Sequence, residues 1–292
     1  MAETGFAGGR METIEEATAE LRYEDAVAIQ PGAFALELSL DWIVLRASEN
    51  VHHLLRESHV TLIDEPLSRF VHAQALHDLR NLFSRLSGTT GIARAYGVRL
   101  TDEPELVDVA FQLSDGRVIL EAVPSAGEFG ECFGSVGGLI AGLAETEGQA
   151  LLDNGARRMR ALTGYDRVTL VCGDQRAESS RGAFARPNPM EEVPAIIADT
   201  EFRPVALFPR DEEDTSLAEA LMCSPSSGAL AKLRDQGLRA SLRIPFEFEG
   251  KEGEFRCDSR APREPCFEMH AAAELFAQLF AMQLQIDRLR NA

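Results

Sequence analysis

The chain has 292 residues, of which 45% are apolar and 26% charged, with a formal net charge of −18. This balance is that of a globular protein of one large or two medium domains, and it argues against nucleic-acid backbone binding, which needs a basic patch. No apolar run approaches the roughly 20 residues of a membrane span, residues 1–10 lack a signal core, and the five cysteines form no C-x-x-C pair, so a cytoplasmic, reducing location with buried thiols is expected.

Residues 1–22 are expected to be a flexible N-terminal segment: Met1–Arg10 is rich in Gly and Ala, and Met11–Leu21 has the pattern of a short acidic helix. Gly32–Leu38 and Trp42–Ala47 predict two short strands around a turn at Ser39–Asp41. A helical pattern follows Ser48, with Val51, Leu54 and Leu55 on one face, and a second covers Ala73–Leu86. Three strands are predicted at Ile92–Leu100, Val107–Leu113 and Arg117–Val123, the last two joined through Ser114-Asp115-Gly116, since Asp-Gly suits the positive φ angles of a tight hairpin.

Residues 125–138, rich in glycine, read as a linker, and Leu139–Leu162 as a helix weakened by Gly142, Gly148 and Gly155. Tyr165–Cys172 is a strand closed by a turn at Gly173–Arg176, and Gly182–Pro225 reads as largely irregular. A short helix over Ala229–Asp235 leads to Leu238–Phe248, where Leu238, Ala240, Leu242, Ile244, Phe246 and Phe248 alternate with Arg239, Ser241, Arg243 and Glu247. Period two with one apolar face predicts a half-buried strand; Glu249–Gly253 supplies its turn and Glu254–Cys257 begins a return strand. Phe267–Arg290 predicts a long amphipathic helix whose apolar stripe includes Leu275, Leu279, Met282, Ile286 and Leu289. Adjacent His52 and His53, with His59, are too poorly arranged on a helix to argue for a metal.

Several of these stretches, in this order, resemble bacterial phytochromes. Ile29-Gln30-Pro31-Gly32 resembles the family's I-Q-P-H-G entry without its histidine, and Ser114–Glu121 its final PAS hairpin. Leu162–Val168 resembles the first GAF strand, Ile196–Asp199 with Pro204, Val205 and Pro209 the lasso through which the N-terminal segment passes, and Gly237–Leu242 the central GAF strand. The resemblance implies an α+β fold: a PAS domain over 23–124, a linker over 125–138, a GAF domain over 139–266, a lasso knot, and a long C-terminal helix over 267–292.

The resemblance also marks departures at the positions that serve biliverdin in the family. Glu16–Arg22 has no cysteine where the family attaches its bilin; the P-A-S-D-I-P motif becomes Pro189–Pro194 with Glu191 and Glu192 in place of the aspartate. A propionate-binding arginine falls near Leu221, a pocket tyrosine at Val171, and the C-H-H ending becomes Cys257-Asp258-Ser259, while Cys223 lies near the attachment position of plant-type phytochromes. These residues define a degenerate ligand pocket, so the expectation is a regulatory module with no cofactor. It would act by protein association through helices 139–162 and 267–292, as a homodimer or with a phytochrome or two-component partner, Leu139, Leu143, Leu151 and Met159 supplying the second helix of the bundle. The alternative is a photoreceptor or small-ligand sensor binding biliverdin or another ligand non-covalently, with Glu191, Arg203 or Arg239 facing the cavity. No catalytic triad, P-loop or G-x-G-x-x-G is present, so enzymatic chemistry is not expected.

Overall fold

The computed structural model describes residues 28–86, 91–127, 130–184, 194–210, 217 and 220–291. The expected N-terminal acidic helix, Glu191, Glu192 and the acidic run at 211–214 lie outside these residues. Two antiparallel sheets organise the rest. The seven-stranded sheet runs in the order β1-β10-β3-β2-β6-β5-β4, with β1 Ala28–Ile29, β2 Phe34–Leu38, β3 Val44–Ser48, β4 Ala93–Val98, β5 Val107–Ser114, β6 Arg117–Pro124 and β10 Val205–Phe208. The five-stranded sheet runs β8-β7-β12-β11-β9, with β7 Arg167–Cys172, β8 Gln175–Ser180, β9 Ile196–Ile197, β11 Ala240–Phe248 and β12 Lys251–Ser259.

Helices α1 His52–Leu55, α2 His59–Leu62 and α3 Ala73–Leu86 accompany the first sheet. Trp42, Phe83 and Phe111 meet there in edge-on and tilted contacts, the favoured geometry for aromatic rings. Both hairpins turn as their sequences require: Asp115 and Gly116, and Glu249 and Gly250, all take positive φ.

Helices α4 Glu131–Ala141, α5 Gly148–Thr163 and α7 Phe267–Asn291 accompany the second sheet, and α6 Ser227–Asp235, capped by the Ser226 side chain on Ala229 N–H, precedes β11. Phe246, Phe255, Phe276 and Phe280 form a connected aromatic cluster between β11, β12 and α7. Gly155 of α5 is small because of this cluster: a Cβ there would collide with the Phe280 ring. Glycine, read from the sequence as a weak point of the helix, is thus its point of closest packing.

The structure corrects four local readings. The glycine-rich stretch read as linker enters helix α4, because Glu268 Oε1 accepts the N–H groups of Gly130 and Cys132 at 3.0 Å and so caps it from across the fold. The single helix expected over 139–162 is two, broken between Ala141 and Gly148. The turn after β7 opens into strand β8, held from α5 by Gln149 on the Arg176 carbonyl and Arg160 on Ser179. Finally, Leu143, Leu151 and Met159, expected to face a partner, have no exposed surface; they fill this chain's own core, with Leu139 packed against it.

The irregular 194–223 stretch links the two sheets. Ile196–Ile197 pairs with β11, whereas Val205–Phe208 crosses to lie between β1 and β3. Its neck is closed by Ile196 N–H on the Leu221 carbonyl, and Gln30 sits at that neck: its Nε2 donates to Ile196 O at 2.7 Å and Cys223 O at 3.2 Å, and its Oε1 accepts from Ala198 N–H at 2.9 Å. A buried side chain that uses both ends of its amide in this way is fully satisfied.

Candidate functional site

The five-stranded sheet has two unlike faces. Val168, Leu170, Ile244, Phe255 and Cys257 alternate onto the helix side and are buried among apolar residues. The intervening residues form a grid on the opposite side. One row is Arg167–Asp258–Ser241, the next Thr169–Arg256–Arg243, the third Val171–Glu254–Pro245, each set by strand register.

This second face is charged and also buried. Arg167 is 1% exposed, Asp258 0%, Ser241 2%, Thr169 3%, Glu254 5% and Arg256 8%. Burying such groups is costly unless they are paired and hydrogen-bonded. Asp258 takes most of that load: Oδ2 accepts from Arg167 Nε at 3.0 Å and Nη2 at 2.6 Å, while Oδ1 accepts from Ser241 Oγ and Arg256 Nε at 3.1 Å. Phe184 covers Arg167 with its ring 4.8 Å away and stacks on Arg260 from 4.1 Å. Arg243 donates to Glu254 Oε2 from Nε at 3.0 Å and from Nη2 at 2.7 Å.

Two buried oxygens of the grid are left over. Thr169 Oγ1 and Glu254 Oε1 have no hydrogen-bond partner among the described residues. An unsatisfied buried acceptor carries a desolvation penalty of about 1–3 kcal/mol, so these two mark a place where the face is incomplete by itself. A ligand with N–H donors would complete it, and guanidinium groups beside them suit carboxylates. In polarity the face therefore fits a bilin, which has ring N–H groups and two propionates.

The residues singled out from the sequence are only partly brought together. Val171 and Asp258 belong to the grid, Val171 half-buried and Asp258 at its centre. Ser259 turns to the other side at the strand end, bonded to Asp166 Oδ2 at 3.2 Å. Leu221 is a buried apolar residue whose N–H, with that of Met222, donates to the Glu121 carboxylate at 2.8 and 2.7 Å. Cys223 bridges to Ile29 beside the Gln30 neck, and burial pushes its thiol up to about 12. Arg239 is engaged by Asp199 and Glu201, and Arg203 is exposed, so neither supplies the grid with a cation. Arg167, Thr169, Arg243, Glu254 and Arg256, which do build the grid, were missed because period-two polar residues on a strand read as a solvent face.

Two antiparallel sheets flanked by helices, joined through a loop at whose neck the first strand lies, define the PAS-then-GAF arrangement of phytochrome sensory modules. The comparisons agree. A bacteriophytochrome of Pseudomonas aeruginosa is 25% identical over 86% of this chain, which spans 38% of that protein. The chromophore-binding domain of a Stigmatella aurantiaca bacteriophytochrome superposes with a TM-score of 0.73 at 24% identity, covering 88% of this chain and 95% of that one. The chromophore-binding domain of an unusual R. palustris bacteriophytochrome gives a TM-score of 0.73 at 23% identity, over 90% and 96%. No family model matches. The chain has the fold of a bacteriophytochrome chromophore-binding domain, and the α+β fold read from its motifs holds.

The expectation of no cofactor is corrected by the same neighbours, which are chromophore-binding domains matched over nearly their whole length. Loss of family motifs at single positions was read as loss of the site, but the face carries other polar groups of its own. Among the described residues no helix is long and apolar enough to cross a membrane.

Proposed function

We propose that this chain is the sensory module of a signalling protein and holds a linear tetrapyrrole such as biliverdin, or a ligand of like chemistry, non-covalently on the charged face of the five-stranded sheet. The observation that supports this reading is the pair of unpartnered buried acceptors, Thr169 Oγ1 and Glu254 Oε1, set in a layer of buried arginines. Thr169 and Glu254 would accept N–H groups of the ligand, Arg243 and Arg256 would hold its carboxylates, and the Arg167–Asp258 pair would keep that row of the grid in place. The tetrapyrrole, when bound, supplies the conjugated system that absorbs visible light. A thioether is not part of the proposal: Cys172 and Cys257 alternate onto the helix side, and Cys223 has a thiol pushed well above neutral by burial.

The test is an absorption spectrum of the protein mixed with biliverdin, before and after illumination and then after denaturation. A structured red band that disappears into free pigment on denaturation supports the reading. A spectrum identical to free biliverdin would sink it for this ligand, and pigment retained after denaturation would contradict the non-covalent part.

A second reading is favoured by a separate observation and is compatible with the first. On α7, Leu275 is 39% exposed, Met282 62%, Ile286 42% and Leu289 74%. With Leu279 they recur at the alternating four- and three-residue spacing of a coiled-coil seam. We infer association through this seam, with a second copy or a signalling protein. Met282→Glu with Leu289→Glu would leave the fold intact and abolish association in sedimentation; a wild type monomeric at high concentration with no captured partner would count against it.

A further inference from the structure

The first turn of α4 and the start of α7 meet where the seven-stranded sheet touches the second half of the molecule. Glu268 bonds Cys132 N–H from α7, Met269 N–H donates to Cys266 Sγ at 3.4 Å, and Tyr96 of β4 packs edge-on against Phe133. From β4, Arg94 reaches His270 Nδ1 at 2.8 Å and Glu274 at 2.9 Å. Within this joint the thiols of Cys132 and Cys266 are hydrogen-bonded to each other, and both residues are half-buried rather than sealed. Cys172 and Cys257 are buried in the helix-side core, and Cys223 lies at the Gln30 neck, so the pair is set apart from the remaining thiols.

We propose that Cys132 and Cys266 form a reversible disulfide that staples α4 to the start of α7. The oxidant is a low-molecular-weight disulfide. One protein thiolate attacks a reagent sulfur and expels one reagent thiolate; the second protein thiolate attacks the resulting mixed disulfide and expels the other half. Two protein thiols lose two protons and two electrons, and one reagent disulfide becomes two thiols. Only the thiolate attacks. Burial and the neighbouring thiol and carboxylates push Cys132 up to about 12, and burial raises Cys266 as well, so the reaction is slow at neutral pH and quickens as pH rises. The staple joins residues 132 and 266 across most of the second half of the chain, and a long closed loop is where a cross-link most restricts the unfolded state.

The experiment incubates the full, folded chain with oxidised glutathione at pH 8, quenches with acid, and alkylates the remaining thiols with a maleimide in denaturant. Mass mapping is expected to find three alkylated cysteines and one cross-linked peptide pair carrying Cys132 and Cys266, with a higher urea midpoint than the reduced protein. Cys132→Ser and Cys266→Ser are each expected to remove that shift. Five alkylated thiols, a different cysteine pair, or stable glutathione adducts on Cys132 or Cys266 would overturn the proposal. The mapping is made on the unaltered chain and so decides the matter even if a serine variant fails to fold.

Discussion

The two sheets each bury carboxylates, and they treat them differently. In the seven-stranded sheet, Glu37 is held by Arg46 and Arg117, and both oxygens of Glu121 accept backbone N–H groups, from Leu221 and Met222. In the five-stranded sheet, Glu254 has one oxygen on Arg243 and the other without a partner among the described residues, next to the equally unpartnered Thr169 Oγ1. Fully satisfied buried groups fix a structure; half-satisfied ones are tolerated where something else completes them. On this contrast the first sheet is scaffold and the second carries the site.

Breaking the best-satisfied pair of the second sheet has the largest expected effect. Arg167→Ala leaves Asp258 buried with its Oδ2 partner gone, and destabilisation of about 3–5 kcal/mol is expected in urea unfolding, as for other severed buried ion pairs. A change below about 1 kcal/mol would mean that this face is wetter than its burial implies.

Glu121 sharpens the first half of the contrast through pH. Burial raises its carboxyl to about 7 against the ordinary 4.5, outweighing the two N–H bonds that favour the ionised form. A carboxyl with a raised folded-state value binds its proton more tightly when folded. Its contribution to stability is therefore full below the ordinary carboxylate range and is lost as pH rises through about 7. Glu121→Gln should flatten the fall in urea midpoint between pH 5 and pH 8, a span worth up to about 3 kcal/mol for a shift of this size. An unchanged profile would show that Glu121 does not titrate in this window.

The packing that supports the site from the helix side gives a smaller effect. Gly155→Ala puts a methyl group against the Phe280 ring, and overpacking of this kind costs about 1–3 kcal/mol. A stability unchanged by calorimetry would mean that the aromatic cluster shifts freely. Smallest in stability is Thr169→Val, which removes an oxygen that bonds to nothing described and should move the unligated protein by less than about 1 kcal/mol.

Much of the fold was legible because its signals are local. Alternation over Leu238–Phe248, Asp115-Gly116 at a hairpin and an apolar stripe from Phe267 onward each specify an element within a few residues. The failures share a cause as well. α4 is capped by Glu268, far along the chain; β10 leaves its neighbours to join the other sheet; and the arginines of β7, β11 and β12 are covered by contacts such as Phe184. Polar alternation marks the face of a strand but not whether that face meets water. The candidate site stayed hidden for that reason, and the motif departures that were visible pointed towards its loss.

The central claim is that the unpartnered oxygens serve a ligand. Its most direct test is a biliverdin titration of the wild type and Thr169→Val, read by absorption, alongside urea unfolding of both without pigment. The account predicts a stability unchanged within about 1 kcal/mol and an affinity roughly tenfold weaker, the equivalent of about one lost hydrogen bond. Equal affinity, or no binding by the wild type, would contradict it.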